Sequence, residues 1–180
     1  MRHDLPKKYH FISSFDRNLL EKFDDKIGII YRNHHIKKYN TNEILKIKKI
    51  LKAKRIKFFI TNNIKLAIKL DLDGVYISSF NKCFAHLSYS LKKKFNIIGS
   101  AHNLKQIRIK ELQNTQLIFL SSIFKKNKNY LGINKFKLIS NYTKKKIIAL
   151  GGINKENLKS LKMISSYGFA GISFFKKKGG

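Results

Sequence analysis

Two adjacent glycines that close an apolar run are candidates for chemistry when a polar, helix-like segment follows at once. Gly151-Gly152 stand in that position, between KIIAL (146–150) and INKENLKSL. Glycine lets a ligand approach backbone N–H groups, and a helix start adds the positive end of its dipole, so the pair suits a phosphate. A tight turn alone would also call for Gly-Gly. Similar polar groups follow other apolar runs. Arg32, Asn33, His34 and His35 come after IGIIY (27–31), and Thr61, Asn62 and Asn63 end KFFIT (57–61). Ser78, Ser79 and Asn81 close GVYIS (74–78), and Ser100 and His102 close NIIGS (96–100). Ser121, Ser122, Lys125, Lys126 and Lys128 follow LIFLS (117–121), and Lys176 follows AGISFF (170–175). The set is rich in donors and cations, and no Asp or Glu stands at any of these run ends. That excludes a carboxylate pair for general acid–base work and a natural cage for Mg²⁺ or Zn²⁺. The ligand such a set prefers is an anion, phosphate above all. A neutral imidazole at His102 can act as acid or base near pH 7, or serve as a hydrogen-bonding structural residue. His34-His35 would bind a metal only with partners the sequence does not display. Asp73, at the start of a run beside Gly74, reads as structural.

These groups need a scaffold that brings run ends together. With YHFI (9–12) there are eight short β-rich runs, separated by stretches of helical period. Ile44, Ile47 and Leu51 form one apolar stripe, and Leu158, Leu161 and Met163 to Ile164 another. Asn40 with Glu43 reads as a capping box, and Asn154 as an N-cap with Glu156 in the first turn. Helices between strands imply parallel pairing, and continuous apolar strands imply that both sheet faces are covered. Eight such units predict an α/β fold, a closed (β/α)₈ TIM barrel, with sites at the C-terminal strand ends. An open doubly wound sheet is the alternative. The chain of 180 residues is short for this barrel and ends in KKKGG after Phe175. The final helix is therefore expected to be missing, and a homodimer partner could shield the bare wall.

Composition narrows the class. The 180 residues with 43% hydrophobic content fit a single domain over 1–180. The N-terminus has no signal-peptide pattern, no apolar run approaches a membrane span, and Cys83 is the single cysteine. A cytoplasmic protein without a membrane partner is expected. The net charge of +29 is almost all lysine, accompanied by abundant Ile and Asn, as an A/T-rich genome would produce. Nucleic acid is therefore the less favoured partner, since base readers and phosphate clamps favour arginine.

The segments TNNIKLAIKLDLDGVYIS, GSAHN, LSSIF followed by LG, and ALGGINKEN, in this order, resemble the thiamine phosphate synthase superfamily, which includes thiazole tautomerases. The likeness runs from about Ile29 to Phe175. It implies the same barrel. It also implies a reaction joining hydroxymethylpyrimidine diphosphate to thiazole phosphate with release of pyrophosphate, assisted by Mg²⁺. The substrates would be small phosphorylated heterocycles. By resemblance, Arg32 matches the arginine of a Gln-x-Arg-x-Lys stretch, with Ile30 and His34 at the flanking positions. Asn62 matches the first residue of an Asn-Asp pair, and Ser100 and His102 match a Ser-x-His stretch. Gly152, beside Gly151, matches the glycine whose backbone holds the thiazole phosphate, and Phe175-Lys176 fall where the last strand completes that site. Arg32, Ser100 and His102 are thus the expected catalytic residues. The family's two metal-binding aspartates are Asn63 and Asn81 here, so its Mg²⁺ ligands are not retained and no cofactor is assigned. Its threonine-rich stretch reads Lys126, Asn127, Lys128, Asn129. Two readings follow within the family. In one, Lys126, Lys128 and Arg32 neutralise a leaving pyrophosphate. In the other, the chain binds or isomerises a thiazole phosphate without coupling, with His102 as the acid–base candidate.

Overall fold

The computed structural model describes residues 5–33, 39–171 and 174. Its strands are β1 (Lys8–Ile12), β2 (Ile27–Tyr31), β3 (Phe58–Thr61), β4 (Gly74–Ile77), β5 (Asn96–Ala101), β6 (Leu117–Ser121), β7 (Lys146–Leu150) and β8 (Gly168–Gly171). Every pair is parallel, and β8 returns to β1 to close the barrel in sequence order. The helices are α1 (Arg17–Glu21), α2 (Thr41–Ala53), α3 (Ile64–Lys69), α4 (Leu104–Leu112) and α5 (Gly132–Ser140). The (β/α)₈ expectation holds, with two links thinner than expected. Only a 3₁₀ turn at Ala85–Ser88 joins β4 to β5, and only another at Leu158–Met163 joins β7 to β8. No helix among the described residues is long and apolar enough to cross a membrane.

Alternation along the strands sorts their side chains into two layers. Inside the barrel, Tyr9, Phe11, Ile30, Phe59, Tyr76, Ile98, Leu117, Phe119, Ile148 and Ala170 form one cluster. Phe119 sits among its aromatics, 4.9 Å from Tyr9 and 5.3 Å from Tyr76 between ring centroids, both edge-on. Outside, α2 buries Ile44, Ile47 and Leu51 completely, as their spacing predicts, each contributing about 1.5–3 kcal/mol. Asn40 caps α2 by accepting from the N–H groups of Asn42 and Glu43. The reciprocal half of the capping box does not form, because the Glu43 carboxylate accepts from Phe15 N–H and the Tyr31 hydroxyl instead.

The outer apolar layer is divided. One cluster runs from Ile12 to Ile97, the other from Ala101 to Ile164. Between them, under the thin β4–β5 link, the filling is polar: His86, Lys110, Gln113 and Thr115 are all buried. Lys110 Nζ donates to the Asn81 carbonyl and to Gln113 Oε1, each at 2.8 Å. Gln113 Nε2 donates to the carbonyls of Asn81 (3.1 Å) and Cys83 (2.9 Å). Gly99 makes room for this lysine, since a Cβ there would lie 2.8 Å from Lys110 Cδ. Burial pushes the Lys110 ammonium down to about 8.

Three expectations change. β8 is described over Gly168–Gly171, starting two residues before the expected 170–175, and residues 172, 173 and 175 lie outside the described residues. Asn154 does not cap a helix; it and Asn157 exchange side chain–backbone bonds in a turn, and the 3₁₀ turn starts at Leu158. Met163 is exposed, although Leu158, Leu161 and Ile164 do pack on the core. Asp73 is structural as expected: its carboxylate accepts from Lys57 Nζ at 2.9 Å and from Phe58 N–H at 3.0 Å, fastening the starts of β3 and β4.

Candidate active site

The C-terminal rim of the barrel has a floor and two arcs. On the floor, Arg32 follows β2 and lays its guanidinium over the Phe11 ring, 4.2 Å from the centroid. Arg32 and Ser100 both lie beside the buried Tyr76 hydroxyl, the guanidinium charge and the serine each favouring its ionised form. Burial raises the Tyr76 pKa, and these two partners only partly offset it, so the phenol stays neutral. Arg32 and Ser100 are thereby brought together through a residue that sequence reasoning treated only as part of a strand. Its signal was available: Tyr76 is the polar-tipped aromatic on an inward position near the end of β4.

The first arc follows β3 and β4. Asn62 adopts a left-handed backbone, with φ of 60°. Its Oδ1 accepts from Ser78 N–H (2.8 Å) and Asn81 Nδ2 (3.3 Å), and its Nδ2 donates to Ser78 Oγ (3.1 Å). Asn63 Oδ1 caps α3 by accepting from Leu66 N–H at 3.0 Å. Asn81 Oδ1 accepts from Cys83 N–H at 2.9 Å. This arc binds itself.

The second arc follows β5, β6 and β7. His102 Nδ1 lies 2.8 Å from the Ser121 carbonyl and 3.0 Å from Ser121 Oγ. A carbonyl only accepts, so Nδ1 carries the proton, and in the neutral ring Nε2 holds the free lone pair. The Ser121–Ser122 peptide is cis. The loop beyond it folds back, with Ser122 N–H donating to the Asn129 carbonyl and Leu131 N–H to the Ser122 carbonyl. Lys126 and Lys128 are exposed on this loop and form no ion pair among the described residues.

The loop also explains the glycines. Gly151 and Gly152 have φ of 105° and 75°. A Cβ on Gly151 would lie 2.4 Å from Ser122 Oγ, and one on Gly152 would lie 2.5 Å from the Lys125 backbone nitrogen. The Gly151 carbonyl accepts from Phe124 and Lys125 N–H at 2.9 and 3.2 Å. So the pair lets the β6 loop dock, a reason the sequence did not display. Docking leaves the N–H groups of Gly152 and Ile153 without an acceptor among the described residues. The helix dipole expected to assist them is absent, for an Asn154–Asn157 turn stands in its place. His34, Phe175 and Lys176 lie outside the described residues. Three carboxylates follow strands at this end of the barrel among the described residues, and each has a partner: Asp16 caps Leu19 N–H, Glu43 serves Phe15 and Tyr31, and Glu156 accepts from Asn154 Nδ2 at 3.5 Å.

The family described as thiamine monophosphate synthase matches residues 22–175. The chain belongs to this family. A thiamine-phosphate synthase of Methanococcus vannielii is 27% identical over 146 residues, covering 77% of this chain and 70% of the relative. One from Fusobacterium nucleatum is 29% identical over 133 residues, covering 72% of this chain and 65% of the relative. The solved thiamine phosphate pyrophosphorylase of Pyrococcus furiosus superposes with a TM-score of 0.70 at 21% identity, over 93% of this chain and 86% of that one, a likeness of fold.

Within the thiamine monophosphate synthase family Mg²⁺ is the implied ion, and the rim residues do not fit it. Asn63 and Asn81 bring no charge, and their amide oxygens already accept backbone N–H groups. Among the described residues no three His, Cys, Asp or Glu side chains converge as a metal site. A hard divalent cation prefers carboxylate oxygens, which this arc lacks.

Proposed function

We propose that the chain couples hydroxymethylpyrimidine diphosphate to thiazole phosphate at this rim. The bond between the pyrimidine methylene carbon and the diphosphate oxygen breaks, and pyrophosphate leaves with the electron pair. The thiazole nitrogen then forms the new C–N bond to that carbon. The observation that carries this reading is the pair of unengaged N–H groups at Gly152 and Ile153, a cradle for the thiazole phosphate in a chain of this family. Arg32, Lys126 and Lys128 supply the positive charge that a leaving pyrophosphate requires. Asn62 and Asn63 border the pyrimidine side, and Tyr76 with Ser100 offers donors from the floor. His102 Nε2 is the acceptor positioned for a proton. The substrates are small phosphorylated heterocycles of the cytoplasm. The test is pyrophosphate release from the purified protein with both substrates, with and without Mg²⁺. Turnover in either condition supports the reading, and none in both overturns it.

The self-bonded amide arc favours a second reading, a tautomerase-like or non-catalytic thiazole-phosphate binder. It predicts thiazole phosphate binding that Gly152→Asp abolishes, with no pyrophosphate released from the substrate pair. Failure to bind thiazole phosphate would sink both.

A further inference from the structure

The opposite end of the barrel, where the strands begin, holds a cavity of about 1030 Å³, at the upper end of ordinary small-ligand sites. Ile56, Phe58, Leu72 and Phe95 give it apolar walls, and Tyr167 lines it as well. Nine basic side chains and three carboxylates surround it. Two of the carboxylates are taken from within: Asp73 pairs with Lys57 at 2.9 Å, and Asp71 with Lys92 at 2.6 Å and Lys48 at 3.8 Å. The third is Asp25. Lys7, Lys8, Lys26, Lys52, Arg55 and Lys94 make no salt bridge among the described residues, although Lys52 also feels the charge of Asp71 and Lys7 lies 5.6 Å from the centre of the Tyr167 ring.

Lysines scattered over helices are solvated and need no partner. These line one concavity, where low-dielectric walls concentrate their field and where mutual repulsion is relieved by an anion. A single phosphate would leave most of that charge unanswered. A bare inorganic chain would leave the apolar walls unused, and a nucleic-acid strand prefers an extended stripe to a single concavity.

We propose that this cavity is a second ligand site, separate from the rim, for a small organic polyphosphate bearing a flat ring, the class of the nucleoside triphosphates. The phosphates lie among Lys26, Lys52, Arg55 and Lys94, and the ring lies against Phe95 and Tyr167. The site needs no coupling activity, so it stands or falls independently of the proposed reaction.

The test is calorimetric titration of the full chain with ATP and with tripolyphosphate. ATP is expected to bind at least about tenfold more tightly than tripolyphosphate, and equal affinities would overturn the ring's part in the site. The triple variant Lys26→Ala, Lys52→Ala, Lys94→Ala should weaken ATP about tenfold or more. A control with the same charge loss on outer elements, Lys105→Ala, Lys137→Ala, Lys159→Ala, should stay within about twofold. Equal losses in the two triples would reduce the effect to overall charge and overturn the site. Gly152→Asp should leave ATP binding unchanged; its loss would place the ligand at the rim instead. A single-stranded 20-mer that binds more tightly than ATP, and is lost in the cavity triple, would make nucleic acid the occupant and overturn the proposal.

Discussion

The two arcs of the rim are built from similar residues and do opposite things. After β3 and β4, Asn62, Ser78 and Asn81 spend their side chains on one another, and Asn63 spends its own on a helix start. After β5, β6 and β7, the protein completes its own bonds with a docked loop and leaves Gly152 N–H, Ile153 N–H and His102 Nε2 without a partner among the described residues. A polar residue at a strand end is therefore not yet a site. What separates ligand-binding from structural polarity is whether the neighbouring backbone has already claimed the atom.

This contrast can be broken most sharply at Gly152. Gly152→Asp sets a carboxylate and a Cβ against the Lys125 backbone and should cut thiazole phosphate affinity by at least about a hundredfold. Gly152→Ala isolates the steric part; calorimetry with a melting curve on each variant shows whether the loop still docks. Next is Asn62→Ala, which leaves Ser78 N–H and Asn81 Nδ2 without their acceptor. It should cost about 2–3 kcal/mol of stability in urea unfolding while changing phosphate affinity little. A loss confined to binding would put the first arc in the ligand site. Tyr76→Phe removes the hydroxyl beside Arg32 and Ser100 and should lower kcat/KM about tenfold, with less than about 1 kcal/mol lost in stability.

Restoring the carboxylates sharpens the comparison from the other side. In the double variant Asn63→Asp, Asn81→Asp, the caps survive because carboxylate oxygens accept the same N–H bonds. Mg²⁺ should then raise turnover severalfold in the variant and much less in the natural chain, measured as pyrophosphate release against Mg²⁺ concentration. The smallest effect concerns Lys110, held at about 8 against an ordinary 10.5. Above about 10.5 the amine is neutral in both states. As pH falls toward 8 the unfolded chain takes the proton first, so the burial penalty grows, and below 8 it is fully present. Stability of the natural chain relative to Lys110→Met should therefore rise with pH between about 8 and 10.5, as denaturation at several pH values will show.

The barrel was legible because its strands are continuous apolar runs, and all eight strands occur where the sequence indicates, with β8 starting two residues earlier. The rim was legible as a set of positions but not as a set of roles. Nothing in GVYIS says that Tyr76 joins Arg32 to Ser100, because that contact spans three strands. Nothing in ALGGINKEN says that the glycines admit Ser122 and Lys125, because the intruding backbone lies some thirty residues earlier. The Asn154 cap failed for a local reason: Asn157 offers the same side chain, and two asparagines satisfying each other's N–H groups hold a turn where one would have started a helix.

The lysine beneath Gly99 ties motion to motion. Since the Asn81 and Cys83 carbonyls are held by side chains of Lys110 and Gln113, the β4–β5 link cannot lift away from the barrel without leaving the end of α4 behind or carrying it along. The link and the helix should behave as one opening unit, their amides exchanging with deuterium at a common rate, slower than so thin a connection would suggest by itself.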